Sequence, residues 1–163
     1  MKKSPPKIEL QTIFALRHGA YDAYSPNKSL DQEGIAQVTT LTERIGGIIA
    51  PQSHVLVLSS PTLRAVQSAE IISKRFSVVP KVLKLLEKQD YRFGTAMMRE
   101  IVEASEGFSV VIAVGHFTAP SGIAHAFAHE ALGKSVEPAE CKNGDGYIVD
   151  LKTGTIITSL VGK

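Results

Sequence analysis

The chain has 163 residues, enough for one domain to bury a substantial core without disulfide or metal staples. Its hydrophobic share of 44% and charged share of 21% are those of an ordinary soluble globular protein, and a formal net charge of +2 is too small to make nucleic acid or an acidic membrane surface the main partner. The one cysteine, Cys141, cannot form an internal disulfide and fits a reducing compartment.

The first residues, Met1-Lys2-Lys3-Ser4-Pro5-Pro6-Lys7, begin with charge as a secretory leader does, but prolines and Lys7 stand where a leader's apolar core belongs. No apolar run approaches the roughly 20 residues of a membrane span. These features predict a cytoplasmic protein, a single domain over 1–163 with residues 1–7 as a flexible lead-in.

Ile13-Phe14-Ala15-Leu16 reads as a buried parallel strand that ends abruptly at Arg17-His18-Gly19. Ala20 to Asn27, with Tyr21, Tyr24 and Pro26, reads as a loop rimming the strand's carboxyl end. Asp31 is placed to cap a helix whose buried stripe is Val38, Leu41, Ile45 and Ile48, ended by Gly46, Gly47 and Pro51. Val55-Leu56-Val57-Leu58 predicts a second strand. Ser60 then caps a helix with Pro61 in its first position, Ala65, Ala69, Ile72 and Phe76 as its apolar stripe, and Arg64 in its first turn.

Val78 to Leu86 predicts a short edge strand after Pro80 running into a loop with Glu87, Asp90, Tyr91 and Arg92. Met97, Met98, Ile101 and Val102 form one face of a helix that stops at Gly107, with the two methionines as core filler. Val110 to Val114 is a strand that stops at Gly115-His116, and Thr118 to Leu132 a helix ended by Gly133. Gly146 to Leu151 and Thr155 to Leu160 form a hairpin about Lys152-Thr153-Gly154. The expected architecture is α/β: a three-layer α/β/α sandwich, its sheet mostly parallel with an antiparallel C-terminal edge.

Ligands bind at the carboxyl ends of strands in open α/β sheets, so His18 and His116 are expected to face each other across a pocket at that edge. Arg64, near a helix amino terminus, is a cation placed where an anion would sit between it and the free N–H groups. His125 and His129, four apart on a helix, mimic half a zinc site but lack a third ligand, and read as partly exposed helix residues. Cys141 carries no nucleophile signature.

Arg17-His18-Gly19, then Leu30-Asp31-Gln32-Glu33-Gly34, then Ser60-Pro61-Thr62-Leu63-Arg64-Ala65-Val66-Gln67-Ser68-Ala69-Glu70, then Gly115-His116 resembles the histidine phosphatase superfamily, which includes the cofactor-dependent phosphoglycerate mutases. The resemblance runs from Phe14 to about Ala128. It implies a metal-independent hydrolase that uses no cofactor, in which His18 becomes phosphorylated while Arg17, Arg64 and His116 hold the phosphate. The chemistry suits these residue types: fixed guanidinium forks match phosphoryl oxygens, and nearby cations keep an imidazole neutral and nucleophilic.

The resemblance also implies a general acid after the third strand, for which Leu85-Leu86-Glu87 with Gly94 is the nearest match; Glu87 is the candidate, and Asp90 could take the role. The chain departs from the family pattern at Ala20, Tyr24 and Phe117-Thr118, which bear on the substrate rather than the phosphate pocket. Its length is similar to that of the small bacterial phosphohistidine phosphatases. The expected substrate is a phosphorylated small molecule or a phosphoprotein, phosphohistidine included. A mutase-type phosphotransferase and a non-catalytic phosphate-binding module are the alternatives.

Overall fold

A computed structural model describes residues 9–162; the expected lead-in, residues 1–7, lies outside the described residues. The central strand, β1 (Thr12–Arg17), has its four apolar residues buried because it is paired on both sides, in parallel with β4 (Val110–Gly115) and antiparallel with β5 (Gly146–Asp150). Strands β2 (Val55–Ser59), β3 (Lys81–Val82) and β6 (Ile156–Ile157) complete a six-stranded sheet of order β3-β2-β4-β1-β5-β6. The β1–β5 and β5–β6 pairings are antiparallel and the others parallel, so the mostly parallel sheet with an antiparallel C-terminal edge is as expected.

Alternation along the strands sorts their side chains to two cores. Phe14 and Leu16 pack with Val57 and Ile112 under α1 (Gln32–Ile48) and α2 (Leu63–Phe76). Ile13 and Ala15 pack with Leu58 and Val111 under α3 (Gly94–Ala104) and α4 (Ala119–Leu132). The result is three layers, helices on both faces of the sheet. Each fully buried large side chain contributes about 1.5–3 kcal/mol relative to exposure.

Asp31 caps α1 as expected, its side chain accepting from Gly34 N at 2.7 Å. Ile48 leaves the predicted stripe and is exposed; the chain turns extended at Ile49, which packs on the core instead. Of the face expected on α3, Met97 and Ile101, one turn apart, are fully buried, whereas Met98 is partly buried and Val102 exposed. Phe76 is likewise only partly buried.

The cap expected at Ser60 is not formed: Thr62 is the N-cap residue of α2, and Ser60 and Pro61 precede the helix. The last strand is shorter than expected because Ser159, Leu160 and Val161 turn back to donate to the buried carboxylate of Asp145. Among the described residues no helix is long and apolar enough to cross a membrane.

Candidate active site

Register brings three strand ends to one level. Arg17 on β1 is opposite Gly115 on β4, and Ser59 on β2 is opposite Val114. The ladder continues one residue further, with His18 N donating to Gly115 O at 3.2 Å and Ser60 N to Val114 O at 3.0 Å. His18, His116 and Ser60 therefore leave the sheet side by side, and the two imidazole centroids lie 4.9 Å apart.

A close backbone contact sets the position of His18. At Gly19 an added Cβ would lie 2.5 Å from the carbonyl oxygen of Gly34 in the first turn of α1, so no larger residue fits without moving that turn. Gly19 N donates to Ser68 Oγ at 3.1 Å, and Ala20 N to Gln37 Oε1 at 2.9 Å. Both helices on that face thus tie down the segment that carries the histidine.

His18 Nδ1 donates to the carbonyl of Gly19 at 2.7 Å, which assigns the proton to Nδ1 and leaves the Nε2 lone pair free to accept. Arg64 takes up that lone pair, its Nε–H donating to His18 Nε2 at 3.3 Å. The ring is 2% exposed, and its pKa is lowered to about 4, by burial above all and then by the charges of Arg64 and Arg17, against the raising effect of the Gly19 hydrogen bond.

His116, also 2% exposed, has its pKa lowered to about 3 by burial, then by His18, Arg64 and Arg17. Its Nε2 is 2.8 Å from Ser60 Oγ and 3.3 Å from Thr62 Oγ1, while Nδ1 is buried without a partner among the described residues. Arg17 completes the group. Its Nη1 donates to Cys141 O at 2.7 Å and faces Glu140 at 3.4 Å, and its Nε–H is likewise buried and unpaired. Orphaned polar atoms are rare in folded proteins, and two of them belong to residues of this group.

Of the residues expected at the site, His18, Arg17, Arg64 and His116 are brought together. Glu87 ends a 3-10 turn (Lys84–Glu87) beside β4, and no hydrogen bond or ion pair joins it to those four among the described residues. Asp90 is engaged by Arg92, whose Nε and Nη2 donate to Oδ2 at 3.0 and 2.7 Å; these bonds hold its carboxyl below the usual carboxylate range.

Tyr24, one of the departures from the family pattern, is 99% exposed and makes no side-chain hydrogen bond to the site among the described residues. Tyr21 is there instead, with Arg64 over its ring at 4.6 Å and its edge against His18 at 5.5 Å. An antiparallel bridge between Tyr21 and Leu30 places the ring, a pairing across an eight-residue loop that carries no sequence pattern. Ser60 was legible only as a helix cap; its partner is a histidine 56 residues away.

His125 accepts from Val136 N at 3.0 Å through Nδ1, and no group of three His, Cys, Asp or Glu fit for a metal occurs among the described residues. Burial pushes the Cys141 thiol up to about 12.

A family model described as the histidine phosphatase superfamily (branch 1) matches residues 13–109. No curated protein matches significantly. Among solved structures, the chain is similar to a candidate phosphohistidine phosphatase SixA from Agrobacterium tumefaciens, with TM-score 0.65, 15% identity, and 87% of this chain and 92% of that one covered. The protein histidine phosphatase SixA complexed with tungstate gives 0.61 and 20%, covering 90% and 93%. A mycobacterial glucosyl-3-phosphoglycerate phosphatase complexed with VO3 gives 0.61 and 16%, covering 85% and 90%. At these identities the likeness is one of fold.

Proposed function

The chain belongs to the histidine phosphatase superfamily, and from that premise we propose that it hydrolyses a phosphomonoester or a protein phosphohistidine through a phosphohistidine formed on His18. The observation that carries this reading is His18 itself: a neutral imidazole with its lone pair directed by the Gly19 bond, one guanidinium in contact, and unpaired buried polar atoms on two neighbouring residues, Arg17 Nε and His116 Nδ1. Two similar folds hold tungstate and VO3, oxyanions of the phosphate kind.

In the reaction Nε2 attacks phosphorus and the leaving group departs on the opposite side. Arg17, Arg64 and His116 hold the three oxygens that gather charge. Glu87 gives a proton to the leaving group and then takes one from the water that cleaves the P–N bond. No step needs a metal or an organic cofactor.

The substrate is a phosphorylated small molecule or phosphoprotein, and the setting is cytoplasmic. A single histidine phosphatase domain is supported by the six strands joining one sheet. The test is covalent labelling. Incubation with a labelled phosphodonor and rapid quench in alkali should trap one acid-labile phosphate per chain, lost in His18→Ala along with chelator-resistant turnover. Saturable phosphate binding without label would instead support a binding module, and phosphate passed to a second hydroxyl rather than to water would support a mutase.

A further inference from the structure

Phe117 follows His116 directly and has φ 51°, a left-handed conformation that is unfavourable for a bulky residue. Its ring is not buried in compensation: Phe117 is 41% exposed, with one face toward the Arg17 guanidinium at 5.8 Å. Hydrogen bonds hold the backbone there, from Cys141 N to Phe117 O at 3.0 Å and from Thr118 N to Gln89 O at 3.1 Å. Tyr91, which lines the same cleft, is 43% exposed; its backbone N donates to Thr118 Oγ1 at 2.9 Å and its carbonyl packs so closely on Gly122 that no side chain fits at that position. Both residues are therefore fixed by backbone contacts, and with Gln89, Asp90 and Thr118 they line a cleft of about 370 Å³, within the range of small-molecule sites.

The polar groups in this cleft are mostly committed. Thr118 Oγ1 accepts from Tyr91 and donates to Gln89 O, and both oxygens of Asp90 accept from Arg92. A polyol entering here would find only the Gln89 amide and the Tyr91 hydroxyl uncommitted among the lining side chains, whereas a flat ring would meet two aromatic side chains. The ring of Phe117, next in the chain to His116, lies 5.8 Å from the Arg17 guanidinium, which sets the cleft beside the phosphate site, and the segment that follows Glu87, the proposed acid, supplies Gln89, Asp90 and Tyr91 to its lining.

We infer that the Phe117–Tyr91 cleft receives the leaving group, and that it selects phosphates carried on a planar unsaturated ring over those carried on an aliphatic polyol. This rests on the phosphate reading of the His18 site and adds the chemical class of what the phosphate is attached to.

The test uses two non-hydrolysable probes, phenylphosphonate and methylphosphonate, titrated calorimetrically into wild type and Phe117→Gly. Glycine suits φ 51°, so the variant removes the ring while relieving backbone strain and should remain folded. The expected result is tighter binding of phenylphosphonate by wild type, with that preference reduced about fivefold or more in Phe117→Gly, in line with the worth of an aromatic contact. Tyr91→Ala should reduce the same ratio. Equal affinity for the two probes in wild type, or a ratio unchanged in Phe117→Gly, overturns the ring subsite while leaving the phosphate reading intact. Failure of both probes to bind defeats the phosphate reading itself, and the subsite with it.

Discussion

The Nε–H of Arg64 donates to Nε2 of His18 at 3.3 Å, and so occupies the lone pair that attack on phosphorus requires. A bound phosphoryl group must draw that donor onto one of its own oxygens, which frees the lone pair at the moment the oxyanion arrives. Arg64→Ala should lower kcat/KM for an aryl phosphate about 10²- to 10³-fold, the usual loss of a donor that acts on transition-state charge. Arg64→Lys should recover little, because an ammonium has neither the Nε–H nor the planar fork. Steady-state kinetics of the two variants checks this, and a lysine variant with near wild-type turnover would show that only the charge matters.

Tyr21 covers the other side of that guanidinium and shields the edge of His18. Burial is the largest cause of the depressed His18 pKa, so removing the cover should let water in and raise it. Tyr21→Ala should shift the His18 titration, followed by NMR of the labelled ring, from about 4 upward toward the ordinary value, with a higher KM. Tyr21→Phe keeps the ring and should keep both. A His18 titration unmoved in Tyr21→Ala would mean that the ring neither shields nor positions the pair.

The two histidines also make stability depend on pH in a defined direction. Their folded-state values, about 4 for His18 and about 3 for His116, lie below the ordinary 6.5, so on acidification the unfolded chain takes up these protons before the folded one. Their contribution to stability is whole above 6.5. It falls as pH drops through that value and is spent near 4 for His18 and near 3 for His116. His116→Gln should therefore flatten the fall in urea midpoint between about pH 7 and about pH 4.5, removing at most a few kcal/mol of pH-dependent stability. Parallel curves for wild type and variant would contradict this origin.

Strand ends, helix order and the four residues that meet at the histidine edge were legible because each rests on a short local pattern: an apolar run broken by glycine, or a basic residue in a first helical turn. What was not legible depends on contacts between distant segments. Ser60 satisfies the local rule for a cap, yet its hydroxyl serves His116, reached only when β2 and β4 pair. Tyr21 and Phe117 are unremarkable as letters in loops; one becomes a cover through a bridge to Leu30, the other a strained rim residue through bonds to segments 89 and 141. The helical stripes were wider in the sequence than in the structure: Ile48 ends α1 just before the chain turns extended, and Val102, beside the buried Ile101, lies on the solvent side of α3.

Two carboxylates compete for the role of general acid, and their surroundings separate them. Such a group must hold a proton and deliver it, so it needs a carboxyl not already committed as an anion. Asp90 accepts three hydrogen bonds from Arg92, which hold it ionised. Glu87 has no such partner among the described residues, and the buried Leu86 before it packs near Gly115, which brings the turn to the histidine edge. For an alkyl phosphate, Glu87→Gln should lower kcat about 10²- to 10⁴-fold. With a nitrophenyl ester the leaving group needs no proton, so phosphorylation of His18 should stay fast and only its hydrolysis, which needs Glu87 as base, should slow. Rapid mixing should then show a burst of nitrophenol equal to the enzyme present, followed by a slow phase. Asp90→Asn should show neither the burst nor the large loss; were the burst to appear there and not in Glu87→Gln, the proton would belong to Asp90.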